Sequence, residues 1–178
     1  MLCMTLCSNA QSVSVSRMES DGRWQIMTTG KSIFLNGAKY NICLKAYIKN
    51  GLTDYCMLIS SYYTIPKNAE VLFKLGNGET LYFPINNLNI GDLNSAIVTS
   101  NIIIPVSDKY YSSIYKISLD DMQKIKNHGI LKMRITGGSS YREKIWKKDK
   151  LGRFLTNCKH VIDVEISRHV TKNIWDGF

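Results

Sequence analysis

The sequence predicts an α+β fold: an antiparallel β-sheet or β-sandwich with two C-terminal helices packed on it. Three observations predict it. The turn pairs Asp21-Gly22, Asn50-Gly51 and Asn77-Gly78 punctuate the first part of the chain, and such pairs favour type I′ hairpin turns because both central residues need positive φ. Between the turns apolar residues alternate, as strands require. After Ser118 their spacing becomes that of a helix.

Met1–Ala10 has the form of the back half of a secretory signal peptide. Leu2, Cys3, Met4, Leu6 and Cys7 are apolar, and Ser8-Asn9-Ala10 fits the small-x-small cleavage pattern before Gln11. On this reading residues 1–10 are a signal remnant and residues 11–178 a single α+β domain. Two features weigh against it: no Lys or Arg precedes Arg17, and the apolar run is shorter than the about 7–15 residues of a full signal. An ordinary first strand or a frayed tail is the alternative. Ser12-Val-Ser-Val-Ser16 alternates as a strand does.

With Asn50-Gly51 as a two-residue turn, Ile48 faces Thr53, Ala46 faces Tyr55, Leu44 faces Met57 and Ile42 faces Ile59. That is one continuous apolar face, and a one-residue slip would scramble it. The same register makes Cys43 and Cys56 diagonal neighbours, which disfavours a disulfide between them. Around Asn77-Gly78 a two-residue turn sets Phe73 opposite Tyr82 and Leu72 opposite Phe83, giving strands at least partly apolar on both faces. Pro66 and Pro84 mark strand ends or edges. The Asn-rich segment 85–95 reads as a loop, with strands resuming over 96–106.

Ser118 is a good N-cap, with Asp120 and Asp121 in the first turn where the helix dipole favours carboxylates. Leu119, Met122 and Ile125 share a face, and Gly129 suits the C-terminal cap. Leu131, Met133 and Ile135 line one side of a following strand. A second helix is expected over 147–166, with Leu151, Phe154, Leu155, Cys158, Val161 and Ile162 as its apolar stripe. Its lysine-rich first turn opposes the dipole, and 161–166 also alternates like a strand.

The pattern running from Phe73 to Phe83, through Tyr115-Lys-Ile-Ser118, to Leu131-Lys-Met-Arg-Ile135 resembles a class of small uncharacterised secreted proteins of gut-type Gram-negative bacteria. The resemblance covers roughly residues 70–165. It implies export to the periplasm, cell envelope or exterior, and it transfers no activity. A cytoplasmic location is the alternative.

The 178 residues, 44% hydrophobic and 21% charged, are those of one folded domain. No stretch approaches the about 18 apolar residues of a membrane-spanning helix. Without residues 1–10, Cys43, Cys56 and Cys158 remain, an odd, irregular set that is neither a disulfide scaffold nor a zinc site and reads as buried thiols with at most one disulfide. The net charge of +9 lies wholly in residues 109–160, which hold thirteen Lys/Arg against four Asp/Glu. Such a block suits an acidic glycan, nucleic acid or an anionic membrane surface. A merely solvated surface explains it too.

No catalytic residue, metal site or cofactor is assigned. His128, His160 and His169 match no metal-ligand spacing. Cys158 and His160 diverge on a helix, as do Asp120 and Asp121. Thr136-Gly-Gly-Ser-Ser140 lacks the lysine of a phosphate loop and reads as a flexible connection. The candidate anionic-ligand residues are Tyr141, Arg142, Lys144, Trp146, Lys147, Lys148 and Lys150, because aromatic rings beside cations hold nucleic acid strands or sugar chains. The alternative is that Trp146 anchors the helix while the lysines stay in water. The functional expectation is a non-catalytic envelope or secreted interaction module with a protein partner; an anionic-polymer binder is second and an enzyme third.

The export reading predicts that mass spectrometry of the native protein finds a chain beginning at Gln11. Intact Met1 in a cytoplasmic fraction overturns it.

Overall fold

A computed structural model describes residues 11–99 and 102–175; Cys3, Cys7 and the rest of the signal-like segment lie outside them. Eleven strands and two helices follow in the order β1 (Val13–Met18), β2 (Trp24–Thr28), β3 (Lys31–Leu35), β4 (Ala38–Lys49), β5 (Leu52–Ser61), β6 (Glu70–Leu75), β7 (Thr80–Pro84), β8 (Asn87–Thr99), β9 (Ile102–Ile117), α1 (Leu119–His128), β10 (Ile130–Gly137), β11 (Ser140–Ile145) and α2 (Leu151–Trp175). All strand pairs are antiparallel. The larger sheet runs β1-β2-β4-β5-β9-β8, with β3 also on β4, and the smaller runs β11-β10-β6-β7. The α+β class holds, although β10 and β11 separate the two helices.

The β4–β5 hairpin has the predicted register, with Ile48 opposite Thr53 and Ile42 opposite Ile59. Asn50 and Gly51 both take positive φ, 52° and 78°, as a type I′ turn demands. A fourth pair, Asn36-Gly37, makes the same turn between β3 and β4.

The other two pairs do not. The Asn77 side chain accepts a hydrogen bond from the Glu79 amide (3.0 Å), and Asp21 does the same for Arg23 (3.1 Å). Each side chain thus bonds its own backbone two residues on, and only Gly78 and Gly22 take positive φ. The loops become three residues long. Phe73 therefore faces Leu81, Leu72 faces Tyr82 and Val71 faces Phe83, one residue away from the two-residue expectation. The shift re-sorts the strands: Val71, Phe73, Leu75, Leu81 and Phe83 are all buried, while Tyr82 is 54% exposed. The hairpin is apolar on one face, not both, and β7 is an edge strand.

The segment read as a loop is strand β8, paired with β9 from Asn87 opposite Ile114 onward. Backbone groups make the ladder, so an asparagine-rich edge strand needs no apolar side chains to form it. Gly137-Gly138-Ser139-Ser140 is likewise a hairpin turn, and the basic run after it is β11.

β2 and β3 are one interrupted partner of β4. At the break Thr28, 1% exposed, replaces the missing ladder: its hydroxyl accepts from the Leu44 amide (3.2 Å) and lies 3.3 Å from the Leu44 carbonyl and from Cys158 Sγ. The free edge of β11 is covered at Glu143, whose amide donates to the Asn36 side chain and whose carbonyl accepts from the Asn36 amide. One core joins Ile26, Ile42, Leu44, Met57 and Tyr115 of the larger sheet to Phe73, Phe83 and Met133 of the smaller and to Leu155, Cys158 and Ile162 of α2.

α1 carries the expected cap. Ser118 accepts from the Asp121 amide, and Asp121 accepts in return from the Ser118 amide. Met122 and Ile125 are buried, but Leu119, in the first turn, is 59% exposed. α2 begins at Leu151, later than expected, so Lys147, Lys148 and Lys150 precede the helix instead of forming its first turn. Asp149 caps it, accepting from the amides of Gly152 (2.7 Å) and Arg153 (3.0 Å), and from Ile130 of β10 (3.1 Å). Residues 161–166 are helical and held by Asp163, which bonds the Tyr55 hydroxyl and Lys159, each at 2.6 Å. None of the described helices is long and apolar enough to cross a membrane.

Asp149→Ala removes a cap and orphans the Ile130 amide, so chemical denaturation should show a loss of about 2–4 kcal/mol. Asp149→Asn, which keeps one acceptor oxygen, should cost about half as much.

Candidate functional site

Register disperses the seven candidate residues. Arg134 faces Glu143, Ile135 faces Arg142 and Thr136 faces Tyr141. Side chains alternate along a strand, so Tyr141, Glu143 and Ile145 emerge on one face of the smaller sheet, and Arg142 and Lys144 on the other. Lys144, Lys147, Lys148 and Lys150 are exposed and form no ion pair with described residues. Trp146 is half-buried against the core, and its amide donates to the Leu131 carbonyl at 2.8 Å. Trp146 is thus packed as an anchor, while the exposed lysines follow it along the chain and Tyr141 and Arg142 lie on opposite faces of the strand.

The alternation assembles a different patch on the open face of the smaller sheet. Lys74 lies directly opposite Lys132, and Leu72 opposite Arg134. Glu143 pairs with Lys132 at 2.8 Å and Arg134 at 2.7 Å; these two cations hold its carboxyl below the usual range. Lys74 has no ion-pair partner among the described residues. Arg134 lies 4.3 Å over the ring of Tyr141, and the Tyr82 hydroxyl donates to Glu70. A hollow of about 180 Å³ sits between Leu72, Lys74, Thr80, Lys132 and Arg134.

Beyond the strand lies a pocket of about 250 Å³, walled by Tyr40 of β4, Thr64 and Pro66 of the β5–β6 connection, and Ile135, Ser140 and Arg142 of the β10–β11 hairpin. The Thr136–Ser140 turn, expected as a flexible connection, forms part of its rim. A Cβ on Gly137 would come within 2.3 Å of Pro66 Cγ, so glycine there lets the connection seat on the hairpin. Arg142 is 5.2 Å from the centre of the Tyr63 ring and makes no ion pair with described residues.

A third, larger hollow of about 450 Å³ lies on the outer face of the larger sheet, beside Arg23, Tyr47, Asp54 and Lys116. Here Asp21 neutralises Arg23 (2.6 Å) and Asp54 meets Lys116 (3.5 Å), leaving less field for an anion.

The reactive groups have structural employment. Burial pushes the Cys43 and Cys158 thiols up to about 11, and raises that of Cys56. All three are free and buried. Burial first, then the bond to Asp163, raises the Tyr55 hydroxyl. His128 ends α1, His160 is exposed on α2, and His169 lies within α2, its ring 4.1 Å from that of Trp24. Asp121 belongs to the cap and Asp120 pairs with Lys124 at 3.3 Å. Among the described residues no three His, Cys, Asp or Glu side chains are grouped to hold a metal.

Sequence reading missed Lys74, Lys132 and Arg134, whose signal was the alternation of Leu72-Phe73-Lys74 and Lys132-Met133-Arg134. It also missed Tyr40 and Thr64, which are brought in by long-range packing and carry no local signal. The chain matches no protein-family model, no curated protein and no solved structure.

Sealed thiols of high pKa should resist a disulfide reagent at pH 8 and react once the chain is denatured. The linkage has a sign: in the unfolded chain these thiols ionise near 9, in the folded chain near 11. Stability should therefore fall as pH rises through that window. Rapid labelling of Cys43, Cys56 or Cys158 in the native protein, located by peptide mass spectrometry, contradicts the assignment.

Proposed function

We propose that this chain is an exported, non-catalytic binding module that holds an acidic glycan on the open face of its smaller sheet. One observation carries the reading. Like charges directly opposite on neighbouring strands destabilise a sheet, yet Lys74 and Lys132 face each other beside Arg134. Glu143 compensates two of these cations, and Glu70 is engaged with Tyr82 and Thr136. A polyanion supplies the missing charge, and the exposed Tyr82 and Tyr141 rings offer apolar surface for sugar rings. The signal-like Met1–Ala10 and the resemblance to secreted proteins support export, which favours a glycan over nucleic acid. Buried thiols and committed carboxylates support binding over catalysis.

The protein should be retained on heparin-type resin and elute earlier as salt rises, since bound polyanions release counterions. Lys74→Ala/Lys132→Ala should elute well ahead of the parent. Lys147→Ala/Lys148→Ala/Lys150→Ala, which removes more charge from elsewhere, should elute close to it. An equal or larger shift in the triple variant refutes a face-specific site, and tighter retention on single-stranded DNA resin assigns nucleic acid instead.

A further inference from the structure

The geometry points to a second, smaller site: the pocket between β4, the β5–β6 connection and the β10–β11 hairpin takes the carboxylate of a single hexuronic acid. The inference rests on the acidic-glycan reading for its ligand class and on separate residues for its site.

Two groups in this pocket lack partners of their own. The guanidinium of Arg142 is steered by the Tyr63 ring, 5.2 Å away, with no carboxylate beside it among the described residues. Tyr40 is 2% exposed, and its hydroxyl bonds to no described residue. Tyr40 forms part of the pocket wall. A ligand oxygen in the pocket can take the bond that no described residue offers this hydroxyl. Arg142 and Tyr40 line the same pocket, which places donor and cation at one locus.

The ligand class follows from the lining. No acidic side chain lines the pocket, so it suits an anion. One guanidinium fork matches one planar carboxylate in charge and shape. A phosphate monoester, with a charge of about −1.5 to −2 at neutral pH, would be under-compensated. Ile135 and Pro66 offer an apolar floor, Thr64 and Ser140 offer hydroxyls, and the volume of about 250 Å³ suits one sugar ring rather than a chain.

The test is a titration of the full chain with sodium glucuronate, glucose and inorganic phosphate, followed by amide NMR shifts. Glucuronate should bind saturably at least about tenfold more tightly than either of the others, moving amides of 136–142 and Thr64. Arg142→Gln, at a half-exposed position, should weaken it by about tenfold, and Tyr40→Phe by about threefold, the effect of one hydrogen bond. No saturable binding, equal binding of glucose, tighter binding of phosphate, or an Arg142→Gln variant that binds as the parent does each overturns the site. Heparin retention tests the sheet face separately. Retention without glucuronate binding removes only the pocket; glucuronate binding without retention removes only the polymer reading.

Discussion

The Asp149 carboxylate is where the second half of the molecule is tied together. Three backbone amides converge on it, from the start of β10 and the first turn of α2. Its position dictates its neighbours. A Cβ at Gly129 would lie 2.7 Å from Asp149 Cβ, and one at Gly152 2.8 Å from Oδ2. Gly129 also carries φ of 66°, so the glycine that ends α1 serves both the turn and the carboxylate. Nearby, the Gly76 amide donates to the carbonyls of His128 and Gly129, at 3.1 and 3.3 Å, so the β6–β7 loop joins the same knot. The order of β10 against β6, and hence the layout of the open face, depends on this junction.

The strands, the turns and α1 were legible because their determinants are local. Ser118 and Asp121 cap each other three residues apart, and the Asn50-Gly51 turn fixes the β4–β5 register from its own conformation. The failures were also local in origin but hidden in side-chain chemistry. Asp21 and Asn77 resemble type I′ residues by name, yet each bonds an amide two residues on, which lengthens the loop by one residue. That residue decides which face of β6 and β7 enters the core. β8 was missed for another reason: its partner, not its composition, makes it a strand.

The candidate site was legible only in part. The charge count singles out residues 109–160, and within them a strand splits the run that begins at Tyr141 between two faces. Tyr141 and Arg142 are adjacent in sequence and serve opposite faces. Lys74 and Lys132 are 58 residues apart in the chain and meet only through the β6–β10 ladder. Tyr40 gives no sequence sign of its role, since a buried tyrosine without a partner is defined by what surrounds it.

The three sealed thiols have a consequence for how the chain matures. Cys43 and Cys56 are set diagonally across a hairpin, and Cys158 is buried on α2 beside Thr28. The folded domain is held by its core, its ladders and the Asp149 knot, without a covalent cross-link among the described residues. Folding thus leaves the thiols of Cys43, Cys56 and Cys158 unpaired and shielded in the core, where an oxidant reaches them only when the domain opens.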